Sequence, residues 1–209
     1  MSQPITIDAL CNRLQAQPGA QRYLTAIAGA PGSGKSTLAE KLADALNADA
    51  PGSAAVLPMD GYHYDDSVLN DRGWRPRKGA PHTFDVSGFS HMLTRMRANQ
   101  EPEIAVPVFD RSIEIARAGA RLIPQSVRHI IVEGNYLLLN QPPWDGLAAQ
   151  FDLTVFLEVP LAELERRLKA RWSDLKGDDL ITKMEGNDLP NARLVATQSK
   201  PADLVVAHF

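Results

Sequence analysis

Between residues 29 and 36 the chain reads Gly-Ala-Pro-Gly-Ser-Gly-Lys-Ser, with a β-compatible apolar run, Tyr23 to Ala28, directly ahead of it. Downstream, Leu38, Ala39, Leu42, Ala43 and Leu46 recur at helical spacing, so the glycines join a strand to a helix. At such a junction consecutive backbone N–H groups turn inward around an anion, and the helix start adds unpaired donors and a positive dipole end. Polyphosphate is the ligand that fits. The spacing is G-x-x-x-x-G-K-[ST], in which Gly29, Ala30, Pro31, Gly32, Ser33 and Gly34 form the cradle. Lys35 reaches the β- and γ-phosphates, Ser36 ligates Mg²⁺, and Thr37 lies near the α-phosphate. A glycine-rich turn with a chance Lys-Ser is the competing reading, and the strand and helix patterns on either side weigh against it.

Five apolar runs alternate with helical patterns: Tyr23 to Ala28, Ala54 to Met59, His129 to Val132, Leu153 to Val159 and Asp203 to Val206. That alternation predicts an α/β fold with a parallel sheet covered on both faces. Ile7, Leu10 and Leu14 predict a short amphipathic helix ahead of the first strand, packed on the outside. Gly61 to Thr83 lacks periodicity and reads as a long functional loop or a disordered one. Phe89, Leu93 and Met96 mark a helix that Asp85 is placed to cap. The Pro-broken pieces around Val106 to Asp110 and Arg121 to Pro124 read as short edge segments. Leu164, Leu168, Trp172 and Leu175 mark a helix rich in arginine, broken by Gly177-Asp-Asp, and Asp188 is placed to cap the last helix.

A chain of 209 residues with 44% hydrophobic content is on the scale of one domain, residues 1–209, able to bury a real core. A formal charge of −3 argues against a nucleic-acid-coating protein. Cys11 has no internal disulfide partner, no export signal is evident, and no apolar run nears the roughly 20 residues that span a bilayer. A cytoplasmic protein acting on a small molecule, with no membrane or nucleic-acid partner, is expected. A homodimer is compatible with the sequence.

The groups able to act on a bound nucleotide should project from strand ends. Asp60 closes the second run in Met59-Asp60-Gly-Tyr-His-Tyr64, where it would serve as general base toward an acceptor hydroxyl, or merely form a turn before Gly61. Glu133 closes the third run and fits a metal-shell or substrate-orienting role, with a simple turn residue as the alternative. Tyr62, His63 and His82 form an aromatic and imidazole cluster suited to a small polar acceptor, though each fits a packing role equally well. Asp85 divides between substrate binding and helix capping, and Arg111 could clamp phosphate or substrate. Arg72, Arg75, Arg77 and Lys78 surround Trp74 and are better explained by a loop beside a nucleotide than by nucleic acid. Arg167 or Arg171 suits a mobile lid that closes over the transferring phosphoryl group.

Taken in order, the phosphate cradle, Met-Asp60-Gly-Tyr-His-Tyr, Phe84-Asp85, Pro107-Val-Phe-Asp110, Val132-Glu-Gly134 and Asn187-Asp-Leu-Pro-Asn191 resemble the uridine kinase, pantothenate kinase and phosphoribulokinase family of P-loop kinases. Within it, Glu-Gly-Asn-Tyr136 and the Asn-Asp-x-Pro-Asn-Ala segment look most like bacterial proteins labelled fructose transport system kinases. The resemblance implies a P-loop three-layer sandwich with a five-stranded parallel sheet of order 2-3-1-4-5. It also implies ATP with Mg²⁺, a substrate-binding loop region at about 61–125 and a lid at about 166–188. Asp60 matches the family's catalytic aspartate. In some relatives adenine lies between a lid arginine and a residue after the last strand, places that Arg171 and His208 would fill. The reaction so implied is phosphoryl transfer from ATP to a hydroxyl of a small metabolite such as fructose. A uridine- or pantothenate-kinase-like activity and a non-catalytic ATP-binding regulator stay open. A GTPase is disfavoured, because no Asn-Lys-x-Asp motif is present.

Overall fold

The computed structural model describes residues 2–17 and 21–207. Its central sheet has six strands, β1 (Gln3–Pro4), β2 (Tyr23–Gly29), β3 (Ala54–Pro58), β6 (His129–Gly134), β7 (Leu153–Glu158) and β8 (Leu204–Ala207). They lie in the order β1-β8-β7-β2-β6-β3 and every pairing is parallel. The five strands read from the sequence take the expected 2-3-1-4-5 order. The count is corrected to six by β1, two residues paired to β8, which are too few to carry any periodicity.

Side-chain alternation along the strands divides the core into two faces. Leu24, Ala26 and Ala28 of β2 join Ile130 and Val132 in one cluster with Phe89, Leu93 and Met96 of α4 (Val86–Ala98). Ile27, Ile131, Val155 and Leu157 join the other, against α1 (Ile7–Gln15) and α2 (Lys35–Asp49). The result is three layers, with both faces of the sheet covered.

Two stretches are more ordered than their sequence suggests. The segment after β3 folds as a 3₁₀ turn over Met59–Tyr62, then α3 (Asp66–Asp71) and two further 3₁₀ turns, Arg75–Arg77 and Pro81–Thr83. It is fastened by a bridge between His63 and Phe84 and by Asp85 N–H donating to the Tyr62 carbonyl at 2.8 Å. The supposed edge pieces form an antiparallel hairpin, β4 (Glu103–Asp110) with β5 (Ile115–Pro124), separate from the main sheet. Pro107 is tolerated because it falls where the register shifts between Val106 and Val108, and a bulge needs no donor there.

The chain after β7 carries α5 (Leu161–Arg171), α6 (Gly177–Lys183), a π-helical turn Met184–Asp188 and α7 (Leu189–Gln198). Asp188 does not cap α7 with its side chain. Its backbone is already helical, and its carboxylate accepts from Trp172 Nε1 at 2.7 Å instead. No helix among the described residues is long and apolar enough to cross a membrane.

Candidate active site

The strand register brings the site together. Glu133 stands level with Ile27 of β2 on one side and Pro58 of β3 on the other. The carboxyl end of β2 therefore delivers the loop 30–34, and that of β3 delivers Asp60, on either side of Glu133. In the loop, Gly32 and Gly34 have φ of 81° and 95°, a left-handed conformation that side chains resist. Gly34 precedes α2 without a capping side chain, which leaves the first-turn amides of Lys35, Ser36 and Thr37 for a ligand.

One cavity is lined by Pro31, Gly32, Gly34, Lys35, Ser36 and Thr37 on the loop side and by Asp60, His63 and Arg111 opposite, with Arg171 of α5 at its rim. Glu133 lies beneath it, 5% exposed. Burial pushes the Glu133 carboxyl upward, and Lys35 pulls it back. Burial likewise pushes the Lys35 ammonium down, while Glu133 and Asp60 oppose that shift, so the three charges act on one another at the floor of the site. Asp60 is held by Arg111, whose Nη2 donates to Oδ2 at 2.9 Å. His63 packs between Phe84 and Phe109 at ring-centroid distances of 4.0 and 4.7 Å.

The remaining sequence candidates sit elsewhere. Tyr62 is buried against Phe89 at 4.8 Å, facing the core. Asp85 caps α4, its Oδ1 accepting from Gly88 N–H at 2.9 Å. His82 is exposed and meets Trp74 edge-on at 5.1 Å. Arg167 does not line the cavity; it reaches under it, donating to the Ser33 carbonyl at 3.0 Å and to Glu163 at 2.7 Å. His208 lies outside the described residues. Within the basic loop Arg75 and Lys78 both meet Asp66, and Arg72 stacks on Trp74 at 4.8 Å.

Three residues of the Asn187-Asp-Leu-Pro-Asn191 motif form part of the wall, a role the sequence did not assign them. Asn187, Asp188 and Asn191 come from the π-helical turn and the start of α7. Asn187 Nδ2 donates to the Lys78 carbonyl at 2.8 Å and its Oδ1 accepts from Asn191 at 3.1 Å, which clasps the 75–80 loop to the rim. Tyr136 adds a bond to the Gly79 carbonyl at 2.6 Å. The signal was polar side chains at i and i+4 on one helical face, both now buried. Glu114, at the hairpin turn, had none.

A phosphate cradle at one strand end, faced by a carboxylate at another and overhung by arginine, defines a P-loop kinase. No family model matches the chain. A Schizosaccharomyces pombe protein provisionally named a uridine kinase is 35% identical over 89% of this chain and 83% of its own length. A solved structure from Silicibacter sp. TM1040, provisionally named a fructose transport system kinase, is 45% identical, with a TM-score of 0.88 over 96% of this chain and 98% of that one. A pantothenate kinase of Parvibaculum lavamentivorans is 28% identical across 74% of this chain, which spans about half of that enzyme. The chain belongs to the uridine kinase and pantothenate kinase-like family of P-loop kinases.

Proposed function

We propose that this protein transfers the γ-phosphoryl group of ATP to a hydroxyl of a small metabolite, with a sugar or related polyol as acceptor. The reading rests on one observation: Asp60 and Lys35 line the same cavity from the ends of β3 and β2, the two strands that flank β6, close enough for their charges to interact. Lys35 and the amides around Gly34 would hold the β- and γ-phosphates. Asp60 would accept the proton of the attacking hydroxyl as its oxygen bonds to phosphorus and the bond to the ADP oxygen breaks. Arg171 would meet the charge that spreads over the transferring group. Ser36 and Glu133 are the residues that would hold a magnesium ion, which when bound neutralises phosphate charge. Arg167 is better read as positioning the loop through Ser33 than as touching phosphate. On this reading residues 61–125 supply the acceptor wall and 166–188 the lid of one kinase unit. The name of the Silicibacter relative supports fructose as the first acceptor to try.

The experiment is to mix protein and Mg-ATP with fructose, other sugars, uridine and pantothenate, and to follow ADP. Acceptor-dependent ADP release from one class supports the reading and names the acceptor. ATP binding without any phosphorylated product would replace it with that of a nucleotide-binding regulator.

A further inference from the structure

The buried cation at the acceptor end of the cavity has its donors engaged. Lys78 shows this most fully: its ammonium, 4% exposed, meets Asp66 Oδ1 at 2.6 Å, the Glu114 carbonyl, and the face of Phe109 with the centroid at 5.4 Å. An ammonium has three hydrogens, and those three partners account for them. Arg111, exposed on the same wall, gives Nη2 to Asp60.

Lone pairs stand open on this wall. His63 Nδ1 lies 2.7 Å from the Asp60 carbonyl oxygen, an atom that only accepts, so the ring proton sits on Nδ1. Burial between Phe84 and Phe109 keeps the imidazole neutral; Lys78 pushes the same way, and Asp60 and Glu114 oppose it. Nε2 is then an acceptor, and it makes no hydrogen bond among the described residues. Glu114 lines the same cavity, and its carboxylate likewise has no hydrogen-bond partner among them. Glu114 also has φ of 56°, a left-handed conformation that glycine or asparagine would adopt more readily. A residue held there against its preference points to a use for its side chain.

We propose that Glu114 and His63 make this site selective for a neutral polyhydroxy acceptor, whose hydroxyls donate to the Glu114 carboxylate and to His63 Nε2 while Asp60 receives the reacting one. A carboxylate or phosphate on the acceptor would meet these same lone pairs with no spare donor from Lys78. The proposal rests on the kinase reading above and adds the charge class of the substrate.

The test is calorimetric titration of the whole protein, loaded with a non-hydrolysable ATP analogue and Mg²⁺, with matched probes: fructose and glucose against gluconate, glycerate and fructose 6-phosphate. The expected result is binding of a neutral sugar at least tenfold tighter than any anionic probe. Glu114→Gln should weaken the neutral sugar about tenfold, the effect of losing a charge-assisted hydrogen bond, while strengthening gluconate. In turnover, the same variant should raise KM with kcat nearly unchanged. An anionic probe binding as tightly as the neutral ones, no binding by any neutral probe, or an unaltered ratio in Glu114→Gln overturns the proposal. Neutral-selective binding that Glu114→Gln weakens, without turnover of any probe, keeps the proposal and removes the kinase reading.

Discussion

Arg111 donates to Asp60 across 2.9 Å, and it does so from the hairpin turn to a residue 51 positions earlier in the chain. The ion pair fixes the direction of a carboxylate that the strand end only delivers. Replacing Asp60 by Asn keeps the shape and hydrogen bonding but removes the base. Acceptor-dependent ADP release should fall by about 10²–10⁴ with ATP affinity nearly unchanged, measured by coupled assay and titration. Unchanged turnover would remove Asp60 from the mechanism.

Arg111→Ala separates positioning from stability. Its side chain is 64% exposed, so the pair should contribute no more than about 1 kcal/mol to folding, and Tm should barely move. Turnover should fall well beyond that small stability change, because Asp60 then samples other rotamers.

Gly32→Ala should be costly twice over. Its φ is 81°, and an added Cβ would lie 3.2 Å from Leu168 Cγ on α5. The backbone penalty alone is about 1–3 kcal/mol. We expect ATP affinity to drop by at least about tenfold if that strain is relieved by opening the cradle. Titration with ATP checks it.

Asn187→Ala removes the clasp between the π-helical turn and the 75–80 loop, and strands the Lys78 carbonyl and the Asn191 amide. A loss of about 1–3 kcal/mol in denaturant unfolding is expected, with acceptor KM rising in parallel.

Acid should destabilise the protein through its histidines. His63 and His129 both have pKa values lowered by burial, so the folded state holds fewer protons than the unfolded chain just below pH 6.5. Stability present above the unfolded value is therefore lost as pH falls through 6.5 toward the lower folded values. Tm measured between pH 7.5 and 5 should decline, and His63→Phe should flatten that slope by its share.

The glycine-rich loop was legible because its chemistry is local: eight consecutive residues set both the turn and the ligand. The strand order was legible through the family resemblance, and Asp60 through its place at a strand end. Tyr62 was misplaced because the 3₁₀ turn after Met59 rotates it into the core while keeping His63 on the cavity, a choice no period-2 pattern fixes. The β4–β5 hairpin was hidden by its prolines, and Glu114 by a turn conformation that its residue type does not advertise. Asn187 and Asp188 needed the π-helical turn, whose extra residue shifts which side chains share a face.

Gly61 has no room for anything but hydrogen, since the Pro107 carbonyl oxygen stands 2.5 Å from where a Cβ would be. Two walls of the pocket, one bearing Asp60 and the other bearing Glu114, are thereby welded at a single point. They form a fixed jaw. On the lid reading proposed above, an acceptor would enter from the facing rim beyond Arg171, where Gly177 has φ of 56°, and the pocket would have a single door.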